Sequence, residues 1–385
     1  MNQSAAALKQ FYKAYYFNHI EQLEAPTRIT EREFGYMTFD YNMVRHLTLK
    51  TSGDLRSLVL KEAPNSVYYS TSFYIDPSLP MHEKGWLGGE LVFDIDADTL
   101  DSPCRLEHDK WICRECGMQE RGIRPPRCPR CKGRRLHEIN IACKVCLGAA
   151  KTEALKLLDI LTEDFGLSRR KIDVFFSGNM GYHISVQNTV FESADQMTRS
   201  EIVDYVSGQA FILESLGISP KSGHEELLYK LPSESDGGWR GRVARHFKAV
   251  AESEGKSEDV RVTMTNLYRH IGYRKFRLAV QDVAKKSGAT VDPSVTTDIH
   301  RIFRMPGTLH GKTGLLKKRC GNLESFNPLV DAVAFGREPL KVTIEYSPRF
   351  MIGGDEFGPF KSQSLELPRM AAVYLLGLGM AKLGD

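Results

Sequence analysis

The sequence has no long apolar run. Its best, from Ala371 to Ala381, is far short of the ~20 residues that a membrane-spanning helix needs. The first residues, MNQSAAALKQFYKAYYF, hold no continuous apolar segment of the kind that directs secretion. A cytoplasmic chain with no membrane partner is therefore expected. A large charge imbalance is missing too: 52 Lys/Arg against 48 Asp/Glu leave a formal net charge of +4, which by itself says little about partners. No fixed-period repeat is evident, and 42% apolar with 26% charged residues is the composition of ordinary globular protein rather than of a disordered chain. At 385 residues the chain exceeds what one core usually serves, so two or three structural units are expected. Cysteine is scarce outside one interval, with only Cys320 standing apart.

The other seven cysteines lie between Cys104 and Cys146, where 11 Lys/Arg face 5 Asp/Glu, so the basic character is concentrated there. Without a secretion signal this density points to metal rather than disulfides. Cys113-x2-Cys116 and Cys128-x2-Cys131, separated by a stretch with Gly122, Pro125 and Pro126, have the spacing of a zinc ribbon, in which four thiolates close a tetrahedral site. Cys143 and Cys146 find partners for a second site in Cys104 and His108, with His137 competing for the place of His108.

GELVFDIDADTL, 89–100, reads as a strand with Leu91, Phe93 and Ile95 on one face and Val92, Asp94 and Asp96 on the other. Acids at alternate positions beside an apolar run repel one another unless a divalent cation holds both; the alternative is a strand running out into an acidic turn. KIDVFFSGNMGYHISVQ, 171–187, reads strand, turn, strand. Its Gly-rich turn offers backbone N–H groups that can cradle phosphate, with Ser177, Gly178 and His183 beside them, although hairpins favour the same residues. VDPSVTTDIHRIFRMPGTLHGKTGL, 291–315, returns to strand-like alternation and packs Asp292, Asp298, His300, Arg301, Arg304, His310 and Lys312 closely. Elsewhere, 5–20 reads as a helix whose tyrosines are core, Arg32 as a surface residue, and 193–286 as helical and charged. The basic residues Arg240, Arg242, Arg245 and Lys248 suit either a solvated helix face or nucleic acid. A closing helix is expected over 367–383.

In order and detail, REFGY at 32–36, VYYS at 67–70, FDIDAD at 93–98, the cysteine knuckle, SGNMGYH at 177–183 and RMPGTLHGKTGL at 304–315 resemble the small catalytic subunit of archaeal and eukaryotic DNA primase, over essentially the whole chain. The resemblance implies an α/β (α+β) fold: a primase-type catalytic core with a central antiparallel or mixed sheet in 1–103, 147–192 and 287–385, a zinc-binding module at 104–146, and a helical insertion at 193–286. It implies primer synthesis on single-stranded DNA from nucleoside triphosphates by two-metal nucleotidyl transfer, as RNA with DNA left open, in a heterodimer with a large subunit. Asp94, Asp96 and Asp292 would hold Mg²⁺ or Mn²⁺, with Asp298 the nearer competitor for the third place. Ser177, Gly178, His183, Arg304, His310 and Lys312 would bind the nucleotide. Asn179 and Met180 stand where some relatives carry arginine. The family knuckle holds one Zn²⁺; Cys104, His108, Cys143 and Cys146 look like that site, and Cys113, Cys116, Cys128 and Cys131 like an additional one. Competing readings are a repair or plasmid-type primase-polymerase and a non-catalytic zinc-ribbon protein that binds nucleic acid.

Overall fold

A computed structural model describes residues 2–187, 189–209, 211–255 and 258–384. The chain divides into two compact units, one of Met1–Lys151, Asp173–Ser193 and Asp298–Asp385, the other of Thr152–Ile172 and Ala194–Thr297.

The first unit mixes sheets and helices. One sheet orders its strands Ile302–Arg304, Ser66–Ser70, Phe34–Met37 and Met43–Leu47; another orders Lys318–Arg319, Ile172–Phe176, Gly181–Val186 and Leu91–Asp96. The second sheet carries the acids. In the Leu91–Asp96 strand Leu91, Phe93 and Ile95 are buried while Asp94 and Asp96 are only partly covered, as the alternation predicts. It runs antiparallel to Gly181–Val186, with His183 opposite Asp94 and Gly181 opposite Asp96. Opposed residues in an antiparallel ladder share a face, so His183 and both acids project together. A Cβ on Gly181 would lie 2.0 Å from the Ile95 carbonyl oxygen and 2.7 Å from Asp96 Oδ1, which is why this position beside the acid has no side chain.

The helix Gln3–His19 starts on Asn2, whose side chain accepts from Ala5 N at 2.8 Å. Tyr12 and Tyr16 are buried along it, as expected. Their hydroxyls serve the last motif: Tyr12 donates to the His310 carbonyl at 2.8 Å, and Tyr16 accepts from Leu309 N at 3.2 Å.

Three expectations are corrected. Arg32 is not at the surface: it is fully buried, paired with Glu90, and it donates from Nη1 to the Ser70 carbonyl and from Nε to the Thr27 carbonyl, each at 2.7 Å. A guanidinium is tolerated there because its fixed fork of donors finds an acceptor on each side. The alternation read from Val291 onward gives way to a short helix, Pro293–Thr297, with a proline at its first position, and strand resumes only at Ile302. The closing helix is only Arg369–Gly377; after Gly379, with φ +73°, the chain turns into the strand Ala381–Leu383.

The second unit is helical, with Gln196–Val206, His224–Lys230, Gly238–Ser253 and Val260–Ser287. Its basic residues face acids: Arg242 Nε lies 2.9 Å from Asp164, Arg240 2.8 Å from Asp236, Arg245 3.9 Å from Glu163 and Lys248 3.8 Å from Glu252. The charges tie this unit together, which favours a structural role over a nucleic-acid face.

Removing one partner of a buried ion pair strands the other charge. Arg32→Ala is expected to lower unfolding free energy by about 3–5 kcal/mol, while a paired Arg32→Met/Glu90→Leu exchange restores most of it. Denaturant titration of the three proteins checks this, and an Arg32→Ala loss indistinguishable from zero contradicts it.

Candidate active site and metal centres

Asp94, Asp96, Ser177, Asn179, His183, Arg301, Phe303, Arg304 and His310 line one cleft of about 190 Å³ in the first unit. The acids come from one strand and His183 from its neighbour, 3.4 Å from Asp94 Oδ1 through Nε2. Its ring packs on Phe303 at 4.5 Å between centroids, and its buried Nδ1 has no hydrogen-bond partner among the described residues. Burial, then the positive charges of Lys317 and Arg304, hold the His183 imidazole well below its usual range, so it is neutral near pH 7.

The Ser177–Gly181 turn closes on itself. Ser177 N donates to the Gly181 carbonyl at 2.9 Å, and Ser177 Oγ accepts from Asn179 N at 3.3 Å and Gly181 N at 3.2 Å. Two of the N–H groups expected to face phosphate therefore turn inward on the serine. Gly178 has φ +85°, and a Cβ there would come 3.0 Å from His310 Cβ. Glycine lets the turn lie against the His310 loop. Thr313 Oγ1 donates to the Gly178 carbonyl, and Arg304 Nη1 donates to the Ser177 carbonyl at 2.9 Å, while its buried Nε has no partner among the described residues.

His310 is buried, and its Nδ1 accepts from Lys312 N at 3.1 Å, which leaves Nε2–H as the donor of the neutral ring. Burial and then Arg304 keep this imidazole well below its usual range. Lys312 itself is exposed and lines a neighbouring cleft instead of the one holding the acids.

Arg301 belongs to the cleft and was given no role from sequence. Neither was Lys317, whose Nζ donates to the Arg304 carbonyl at 2.7 Å between the rings of Phe175 and Phe303. Burial, then Arg304, push its amine down to about 7, opposed by Asp94 and Glu90. Nothing in the LLKKR stretch distinguishes Lys317 from the exposed Lys318; only the fold buries it.

Of the two candidates for a third acid, Asp298 is in the first unit and accepts from His300 N at 2.9 Å. Asp292 is in the second unit and lies on no strand; its Oδ1 accepts from Ser294 N at 2.9 Å at the start of Pro293–Thr297.

Two cysteine groups are assembled as the spacing predicts: Cys113, Cys116, Cys128 and Cys131, and Cys104, His108, Cys143 and Cys146, with the ligand atoms of each within 4.8 Å of one another. In the first, Cys113–Cys131 and Cys116–Cys128 sulfurs are 3.6 Å apart. Four Zn–S bonds of about 2.3 Å in a tetrahedron require sulfurs about 3.7–3.8 Å apart, so the group fits Zn²⁺. It caps a ribbon of strands Lys110–Cys113, Gln119–Arg121 and Leu136–Ile139, whose small core is Trp111 with two of the ligands, Cys113 and Cys128. In the second group His108 Nδ1 is 2.8 Å from Asp109 Oδ1, which leaves its buried Nε2 for the side of the Cys104 and Cys143 thiols. A carboxylate behind the imidazole fixes the tautomer that presents Nε2 to a metal. Asp109 is itself held by Arg105 Nε at 2.8 Å. The two thiols of the CxxC pair hydrogen-bond to each other, which lowers the Cys143 thiol and raises that of Cys146. His137 is exposed and outside both groups.

A family model described as DNA primase small subunit matches residues 127–320. The chain is 38% identical to the DNA primase small subunit PriS of Cenarchaeum symbiosum over 97% of each sequence. It belongs to the DNA primase small subunit family. The PriS proteins of Nitrosopumilus maritimus and Archaeoglobus fulgidus are 35% and 30% identical, covering 96% and 97% of this chain and equal shares of their own. The polymerase domain of Mycobacterium tuberculosis ligase D, solved with DNA, aligns over 82% of this chain and 83% of that one at 8% identity and a TM-score of 0.35, too loosely to carry residues across. In this primase-family chain no helix among the described residues is long and apolar enough to cross a membrane.

Elemental analysis of purified protein is expected to find two zinc ions per chain. Asp109→Asn should weaken the second site about 10–100-fold against a chelator while the four-cysteine site keeps its ion. One zinc in the unaltered protein, or equal weakening of both sites, contradicts this.

Proposed function

We propose that this chain is the catalytic subunit of a DNA primase, a DNA-directed nucleotidyltransferase that makes short primers, of RNA or of RNA and DNA, on single-stranded DNA at the sites of replication. The observation that carries this reading is the cleft: in a chain of the primase small-subunit family, strand register gathers Asp94, Asp96 and His183 on one face, opposite Ser177, Arg304 and His310.

Asp94 and Asp96 are hard oxygen donors at alternate strand positions, about 6.6 Å apart along the backbone, a donor set that suits Mg²⁺ or Mn²⁺. Bound there, divalent metal lowers the pKa of an attacking 3′-hydroxyl and neutralises charge on the triphosphate. Asp292 is the proposed third carboxylate, on the strength of its position upstream of the PGTLHGKTG segment, with Asp298 as competitor. Arg304 and His310 bind the triphosphate, with Lys312 at the neighbouring cleft; the neutral His310 ring donates from Nε2, and Arg304 brings a fixed charge. His183, neutral and pressed on Phe303, faces Asp94 through Nε2 and orients it. Zn²⁺ in both cysteine groups is structural, since four protein ligands leave no open position. The large primase subunit is the proposed partner.

Primer synthesis on single-stranded DNA without a pre-existing primer, run with ribonucleotides and with deoxynucleotides and with or without the large subunit, tests the reading. Asp94→Ala and Asp292→Ala are expected to abolish incorporation, Asp298→Ala to retain it, and His310→Ala to raise the nucleotide KM by about tenfold or more, a lost contact of about 1.5–3 kcal/mol. Full activity in Asp94→Ala, or extension of supplied primers with no synthesis de novo, overturns it.

A further inference from the structure

Lys312 points away from the acids into a second cleft of about 480 Å³, and two of the residues that meet it there, Arg114 and His137, come from the zinc ribbon. Arg114 follows the ligand Cys113, and His137 lies on the strand Leu136–Ile139, opposite Ile112, so the ribbon sets both positions. The Arg114, His137 and Lys312 side chains are exposed, and among the described residues none is in a hydrogen bond or an ion pair. They nevertheless converge: the positive charges of Arg114 and Lys312, after burial, hold the His137 imidazole below its ordinary range. Elsewhere clustered cations of this chain do meet acids, as around Arg242. Of the two acids in the cleft, Glu138 is already paired with Arg105 at 3.1 Å, which leaves Asp98 against the three basic groups. Asn179, in the turn beside the acids, lines both clefts, so the two adjoin at this turn.

Two cations, Arg114 and Lys312, that converge beside a neutral imidazole with no ion pair of their own attract an anion. We propose that this second cleft binds a chain of phosphates through Arg114, His137 and Lys312, so that the zinc ribbon supplies part of the substrate-binding surface. Two sources share this chemistry, the triphosphate tail of a nucleotide and the backbone of a nucleic-acid strand. Which phosphates are on hand rests on the primase reading; the anion site does not.

Binding rather than synthesis tests it. Affinity for a fluorescent ATP analogue without nucleic acid, and for a labelled oligo-dT strand without nucleotide at two salt concentrations, is measured for the unaltered protein, Arg114→Ala, His137→Gln and Asp94→Ala. Arg114→Ala is expected to weaken binding about tenfold in at least one arm. A loss in the ATP arm assigns the site to the triphosphate. A loss in the oligonucleotide arm, with a salt dependence shallower by about 0.7, assigns it to a strand. Unchanged affinity in both arms, with two zinc ions still bound, overturns the proposal; if Arg114→Ala loses zinc, Arg114→Gln, which keeps the side-chain stem, takes its place. Loss of binding in Arg114→Ala by a protein that makes no primer would sink the primase reading and leave this site standing; unchanged binding in an active primase would do the reverse.

Discussion

The antiparallel register between Leu91–Asp96 and Gly181–Val186 is the constraint on which the site depends. A slip of one residue would turn Asp94, Asp96 and His183 into the core and bring Phe93 and Ile95 to the cleft. Two features pin it. Phe93, Ile95, Tyr182 and Ile184 are all buried on the opposite face, and Gly181 has room for no side chain against the Ile95 carbonyl. The same sheet face continues past the acids to a buried polar chain, in which Ser185 Oγ donates to Glu90 at 2.7 Å and Glu90 pairs with Arg32. That charge-bearing chain anchors the sheet behind the site without adding charge to it.

The loop bearing His310 shows how distant parts of the sequence cooperate. Tyr12 and Tyr16 hold its backbone from the first helix, Gly178 lets the hairpin turn come against it, and Lys312 N sets its tautomer. The result is a cleft with carboxylates on one wall and cationic or neutral donors on the other. This separation of charge is what metal-assisted phosphoryl transfer uses.

Much of this was legible in the residues. The alternation of apolar and acidic positions from Leu91 to Asp96 is a local, period-two signal and held in the fold. The four-cysteine group could be assigned from spacing, because a CxxC turn fixes its own geometry, whereas the second left His108 and His137 competing until the fold brought His108 to Cys104, Cys143 and Cys146. What could not be read depended on contacts remote in sequence. Arg32 looks like any charged residue beside a strand, and only Glu90, 58 positions away, makes its burial possible. Lys317 and Lys318 are alike in sequence and opposite in burial. Asp292 sits in a stretch whose alternation suggested strand, but Pro293 starts a helix there, and the carboxylate caps it. Lys312 was grouped with His310 because they are neighbours in the chain, yet the turn at Lys312 sends the two side chains into different clefts.

The central claim is that Asp94 and Asp96 hold the catalytic cation beside a bound triphosphate. Crystals grown with Mn²⁺ and a non-hydrolysable nucleoside triphosphate, examined by anomalous scattering at the manganese edge, test it most directly. The account predicts a manganese peak against the Asp94 and Asp96 carboxylates, with the triphosphate between it and Arg304 and His310. Manganese elsewhere, or a triphosphate bound while these two carboxylates hold no metal, would contradict it.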